Sequence, residues 1–107
     1  MEEVILFSSK KEMEKALAQQ EVLTIQVGMV KYNMTRVGNE VYVFEQKCPH
    51  FDHSLANAKV SPYGKITCLW HNYKFDLQSG EESEERCRSL VTHQAEWTDD
   101  GQLMVKL

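Results

Sequence analysis

The sequence contains few cysteines and no long apolar segment. Only three of its 107 residues are cysteine, and a small, odd number argues against a framework of disulfide bonds. No window holds the roughly 18 to 20 apolar residues that span a bilayer. The acidic start at Glu2 and Glu3 does not fit the cationic beginning of an export signal. We therefore expect a soluble, cytoplasmic protein without a membrane anchor.

Positive charge is also scarce. Twelve lysines and arginines stand against 16 aspartates and glutamates, which gives a formal net charge of −4 at pH 7. Such a balance disfavours nucleic acid and anionic membranes as partners, whereas a basic protein surface is compatible with it. The length suits one domain, so we expect residues 1–107 to form a single unit with no room for a second active site.

Short segments rich in β-branched residues dominate the chain. They predict strands over residues 3–7, 22–27, 31–37, 41–45, 65–68, 73–77, 89–96 and 103–106. Ser9 and Glu12 have the spacing of a helix capping box, which predicts a helix of about three turns with Met13, Ala16 and Leu17 on its apolar face. This pattern predicts an all-β sandwich or barrel-like domain with one short N-terminal helix.

Two short motifs are the most informative feature. The motifs are Cys48-Pro49-His50 and Cys68-Leu69-Trp70-His71, and 17 residues separate them. The first motif follows a predicted strand, and the second bridges a predicted hairpin. Together they offer two thiolates and two imidazoles to one metal centre. A two-iron, two-sulfide cluster uses such ligands, with cysteines at one iron and histidines at the other. A zinc site can use the same four ligand types.

The stretch from residue 48 to residue 80 resembles the Rieske family. CPHFDHSL and CLWHNYKFDLQSG match the two cluster-binding loops of that family, including the tail from Phe75 to Gly80. The resemblance implies a Rieske β-fold with its cluster loops within residues 46–80. It also implies that Cys48 and Cys68 bind one iron and that His50 and His71 bind the other through ring nitrogens. It favours a 2Fe-2S cluster over zinc, because zinc fingers usually pair Cys with Cys and His with His.

The neighbours of these ligands indicate which kind of Rieske protein this is. High-potential members carry a disulfide beside the cluster and hydroxyl groups that donate to its sulfurs. The corresponding positions here are His53, Trp70, Tyr73 and Phe75. Phe75 has no hydroxyl, and fewer hydrogen bonds to sulfur lower the potential, so we predict a value near the low end of the range, about −150 mV.

The resemblance therefore implies a soluble ferredoxin and not an enzyme. Such a protein carries one electron from a flavin-containing reductase to an oxygenase or similar acceptor, and we expect a monomer when it is free. Two alternatives remain open at this point. One is the small Rieske subunit of an oxidoreductase complex, and the other is an interaction module stapled by zinc.

Some positions depart from the family pattern or lie outside it. Asp52 and Asn72 stand where glycine is common, and both residue types tolerate left-handed backbone. The third loop that covers the cluster usually contains proline, but residues 86–89 contain none. The acidic run from Glu81 to Glu85 predicts an exposed loop that can steer a basic partner. We expect Cys87 to be a packed thiol.

Overall fold

The computed structural model describes residues 2–49, 53–69 and 72–107. Within these ranges the chain forms one helix and ten strands, in the order β1 Glu3–Phe7, α1 Lys10–Ala16, β2 Val22–Val27, β3 Val30–Val37, β4 Glu40–Glu45, β5 Lys59–Val60, β6 Lys65–Thr67, β7 Lys74–Asp76, β8 Thr92–Gln94, β9 Glu96–Trp97 and β10 Leu103–Lys106. The prediction of a mainly β protein with one N-terminal helix is confirmed.

The strands form three small sheets. Their orders are β2-β3-β4-β8, β1-β10-β9 and β5-β6-β7, and every pair of neighbours is antiparallel. None of these sheets closes into a barrel among the described residues.

The single strand predicted over residues 89–96 is wrong. The chain changes sheets at Ala95, because β8 pairs with β4 whereas β9 pairs with β10. The buried Ala95 marks this change, and its N–H donates to the carbonyl of Val41 at 2.8 Å. The two-residue strand β5 was not predicted; it pairs with β6 beside the second ligand motif.

The helix is shorter than the predicted three turns. It spans seven residues, and its Ser9 cap accepts the N–H of Glu12 at 3.2 Å. The backbone turns extended at Leu17, with φ −132°, and places that side chain in the core. Met13 and Leu17 are buried as predicted, whereas Ala16 is exposed. In the described ranges no helix has the length and apolar character needed to cross a bilayer.

Strand β4 separates two hydrophobic cores. Its side chains alternate, because successive residues of a strand point to opposite faces of the sheet. Val41 and Val43 join the core that contains α1 and β10. Tyr42 and Phe44 join the core on the other side, whose remaining buried members are Cys48, Leu55, Ile66, Cys68, Phe75, Leu77 and Leu90. Both motif cysteines therefore lie in the core shared by β4 and the β5-β6-β7 sheet.

Candidate metal centre

Cys48 and Cys68 begin two loops that are closed in the same way. The N–H of Cys48 donates to the carbonyl of His53 at 2.7 Å, and the N–H of Cys68 donates to that of Tyr73 at 2.8 Å. Each bond joins a cysteine to the fifth residue after it. His50 and His71 fall inside these loops in the sequence, and both lie outside the described residues, as do Asp52 and Trp70.

Both cysteine side chains are fully buried. Each is 0 % exposed in the same apolar cluster, and neither forms a disulfide. A thiolate in such surroundings is costly without a compensating charge, and a bound metal ion provides that charge. The cysteine side of the centre therefore fits a thiolate-bound iron of a 2Fe-2S cluster.

The first loop stands on an extension of β4. Lys47 and Ser54 form an isolated β-bridge, and the N–H of Leu55 donates to the carbonyl of Gln46 at 2.9 Å. Leu55 is fully buried. Asn33, also fully buried, donates its side-chain N–H to the same Gln46 carbonyl at 3.3 Å. The ends of the loop are thus fixed by backbone pairing and by packing.

The second loop is the turn of the β6-β7 hairpin. Thr67 pairs with Lys74, so residues 68–73 connect the two strands. Asn72, which stands where glycine is common, has φ 56°, a left-handed conformation that asparagine tolerates. Tyr73 is half-buried and packs against the core that contains both cysteines, consistent with a role in shielding the centre from water.

The structure gives Phe75, Asp76 and Leu77 of the tail after the second motif a physical reason. Phe75 and Leu77 are fully buried in the cysteine-containing core. Between them Asp76 turns its carboxylate to the backbone that follows, accepting the N–H of Gln78 at 2.8 Å and of Ser79 at 3.1 Å. These bonds stabilise the turn that ends the hairpin.

Gly80 completes the tail at a close approach of two backbone segments. Its φ is +83°, and a Cβ at this position would lie 2.2 Å from the carbonyl oxygen of Leu90. The N–H of Leu90 also donates to the Gly80 carbonyl at 2.7 Å. Glycine is required here by both conformation and space.

Glu82 is the residue that sequence reasoning missed. The acidic run was predicted to be exposed, and Glu81, Glu84 and Glu85 are, but Glu82 is only 2 % exposed. Its carboxylate accepts the backbone N–H groups of Lys74, Glu84 and Arg86 at 3.4, 3.2 and 3.0 Å. No local pattern predicts this burial, which depends on the β-bridge between Glu82 and Phe75.

Arg86 is the side-chain partner of Glu82. It donates two hydrogen bonds to the carboxylate, at 3.0 and 2.9 Å. These bonds, with the backbone donors, outweigh desolvation and lower the pKa of Glu82 to about 2. The guanidinium carbon of Arg86 also lies 3.9 Å from the centre of the Tyr73 ring, within the range of a cation-π contact.

The third loop, residues 86–89, contains no proline, and two arginines fix its position instead. Arg86 joins it to the second cluster loop, and Arg88 donates two hydrogen bonds to Glu45 at the end of β4. Between them Cys87 is half-buried against the cysteine-containing core, and this burial raises the pKa of its thiol. Cys87 is a packed thiol, as predicted.

A comparison with protein families identifies the kind of domain. The model of the Rieske 2Fe-2S domain matches residues 6–95, which is most of the chain. The match confirms the predicted resemblance and cofactor, and it decides against the zinc alternative. A comparison with curated protein sequences found no match.

Solved structures share the fold at low sequence identity. A ferredoxin from Sphingomonas yanoikuyae B1 is 19 % identical with a TM-score of 0.75, covering 99 % of each chain. A chain from the complex of reduced oxygenase and oxidised ferredoxin in carbazole 1,9a-dioxygenase is 20 % identical with a TM-score of 0.74, covering 96 % of this chain and 100 % of that one. A proposed small subunit of an NADH-dependent nitrite reductase from Mycobacterium tuberculosis is 12 % identical with a TM-score of 0.76, covering 97 % and 93 %.

Proposed function

Because the chain belongs to the Rieske 2Fe-2S domain family, we propose that it is a cytoplasmic one-electron carrier built as a single domain over residues 1–107. In this proposal Cys48 and Cys68 bind one iron of the cluster, and His50 and His71 bind the other. When bound, the cluster supplies the reversible uptake of one electron. No residue of the chain makes or breaks a substrate bond.

The matched cysteine loops are the observation that carries the proposal. Two fully buried thiols lie in one apolar core, each at the start of a loop closed by a short backbone hydrogen bond. These contacts hold both thiolates in place and exclude water from them. The fully buried Phe75, which has no hydroxyl to donate to sulfur, supports a potential near the low end of the Rieske range.

We propose that the electron comes from a flavin-containing reductase and passes to an oxygenase or similar acceptor. The similarity to a chain from a complex of an oxygenase with a ferredoxin supports the acceptor. The surplus of acidic residues favours partners with basic docking surfaces. In this role the chain is a monomer when free and associates only for electron transfer.

A second candidate is the small subunit of an oxidoreductase complex, which the likeness to the nitrite reductase small subunit supports. The two candidates differ in whether the chain stays bound to a partner. Gel filtration of the protein from its native source separates them, because a free carrier elutes near its own mass of 12.4 kDa and a subunit elutes with its complex.

The metal content of the purified protein tests the proposal. We expect two irons and two sulfides per chain, and an EPR signal that appears on reduction. Cys68→Ser should lose iron and colour, whereas the matched variant Cys87→Ser should keep both, because Cys87 lies outside the motifs. A colourless wild-type protein with one zinc per chain would overturn the proposal.

A further inference from the structure

A segment from Glu81 to Val91, here called the strap, is joined to both cysteine loops. Its first part pairs with the β6-β7 hairpin, because the N–H of Asp76 donates to the Glu81 carbonyl at 2.9 Å. Farther along, Ser83 N–H donates to the carbonyl of Lys74 at 2.8 Å. The strap therefore lies as an added edge beside β7, the strand that leaves the second loop.

The far end of the strap pairs with β4, the strand that leads into the first loop. Glu45 N–H donates to the carbonyl of Val91 at 3.0 Å, and the Glu45 carboxylate accepts the Val91 N–H at 2.6 Å. The strap thus bridges the strands that support Cys48 and Cys68.

Within the strap, the Glu82-Arg86 pair contacts the second cysteine loop. The Glu82 side chain is 0 % exposed and that of Arg86 is 35 % exposed. The guanidinium lies against the ring of Tyr73, and the Tyr73 carbonyl accepts the N–H of Cys68 at 2.8 Å. Three consecutive contacts therefore run from Glu82 through Arg86 and Tyr73 to Cys68.

We propose that Glu82 and Arg86 are positioning residues of the redox centre, which orient the second loop through Tyr73 and place a balanced pair of charges beside it. The inference depends on the proposed role of Cys68 as a cluster ligand. Reduction adds one negative charge to the centre, so a nearby cation favours the reduced state and a nearby anion disfavours it. With both charges present, their effects on the potential largely cancel.

Removing either charge of the pair should shift the reduction potential, and the two shifts should have opposite signs. Arg86→Gln leaves the Glu82 carboxylate without its cation and lowers the potential. Glu82→Gln leaves the Arg86 cation without its anion and raises the potential. The double variant should lie between the two, close to the wild type. A role confined to loop stability predicts shifts in the same direction for both single variants, because each weakens the same contacts.

A redox titration of the cluster-loaded protein, followed by absorbance, measures these shifts. At the wild-type midpoint we expect the ratio of reduced to oxidised protein to fall at least about threefold in Arg86→Gln and to rise at least about threefold in Glu82→Gln, where tenfold corresponds to 59 mV for one electron. Lys11→Gln removes the same charge from the exposed face of the helix and is the matched control.

Arg86→Lys keeps the charge and provides a second test should Arg86→Gln lose its cluster. The ratio of reduced to oxidised protein in Arg86→Lys should lie nearer to that of the wild type than to that of Arg86→Gln. If Arg86→Gln cannot be measured, the ratio in Arg86→Lys should lie within threefold of that of the wild type. Shifts of equal sign in Glu82→Gln and Arg86→Gln would overturn the inference. An Arg86→Lys ratio as far from the wild type as that of Arg86→Gln, or more than threefold away when Arg86→Gln cannot be measured, would also overturn it, as would ratios in Glu82→Gln and Arg86→Gln equal to that of Lys11→Gln. In each of these cases a reducible wild-type cluster leaves the proposed function intact. A wild-type protein without a reducible cluster would instead overturn the proposed function.

Discussion

Arg88 donates two hydrogen bonds, of 2.8 and 2.7 Å, to the carboxylate of Glu45, 43 positions earlier in the chain. The same carboxylate accepts the backbone N–H of Val91 at 2.6 Å. Burial alone would raise the pKa of Glu45, but these hydrogen bonds and the charge of Arg88 bring that pKa below its ordinary value. Glu45 ends β4 only three residues before Cys48, so this contact joins the third loop to the base of the first.

The two partners of this contact should differ in their effect on stability. Arg88 is 56 % exposed in its side chain, and an exposed ion pair contributes at most about 1 kcal/mol. Glu45→Ala also removes the hydrogen bond that the Val91 N–H donates to this carboxylate, and a hydrogen bond of this kind contributes about 0.5 to 1.5 kcal/mol more. Urea unfolding of cluster-loaded protein should therefore show a larger loss for Glu45→Ala than for Arg88→Ala. Equal losses would contradict the role given to the Val91 hydrogen bond.

Gly80 should tolerate no side chain. Gly80→Ala combines a left-handed φ of +83° with a Cβ 2.2 Å from the Leu90 carbonyl oxygen. Gly101→Ala is the matched control, since its φ is +81° and nothing lies within 4 Å of the added carbon. The left-handed backbone alone should lower the free energy of unfolding of Gly101→Ala by about 1 kcal/mol. We expect Gly80→Ala to lose at least about 2 kcal/mol more in thermal or urea unfolding, and a similar loss in both would show that Leu90 moves aside.

The Glu82 carboxylate predicts how stability changes in acid. Its pKa falls from 4.5 to about 2 on folding, chiefly through Arg86. A lowered pKa stabilises the fold fully above the unfolded value, and this stabilisation disappears as the pH falls through the folded value. The stability difference between wild type and Glu82→Gln should therefore be constant from pH 7 to about 5 and shrink between about 4.5 and 2. Glu81→Gln, at an exposed position, makes the same substitution and is the matched control. A stability difference between wild type and Glu82→Gln that is independent of pH would refute the assignment.

The strand pattern could be predicted from sequence because alternation reports the faces of each strand. Strands β1, β2 and β10 begin and end where the pattern indicates. The break at Ala95 could not be predicted, since an apolar residue there fits a continuous strand as well as a change of sheets. The helix also ends earlier than its pattern indicates, since the backbone is already extended at Leu17.

The candidate site was predictable where its chemistry is local. Two cysteines with fixed spacing to histidines identify the loops, and the structure places Cys48 and Cys68 in one core. The support of those loops is not local. Glu45 and Arg88 meet across 43 positions, and Glu82 is buried within an acidic run. Such contacts depend on which strands pair, which residue types alone do not specify.

The exposed acidic residues of the strap should accelerate electron transfer to basic partners. Glu81 and Glu85 are exposed in the strap, which pairs with the β6-β7 hairpin. Clustered charge of one sign steers a partner of the opposite sign at low ionic strength. In stopped-flow oxidation by cytochrome c, a basic acceptor, Glu81→Gln/Glu85→Gln should react several-fold more slowly at about 10 mM salt and equally fast near 1 M, where the Debye length is about 3 Å. Glu2→Gln/Glu3→Gln makes the same charge change in an exposed segment at the start of the chain, and it should react faster than the strap variant at low salt. Equal rates for the two variants would show that net charge, and not the position of the acidic residues, governs the encounter.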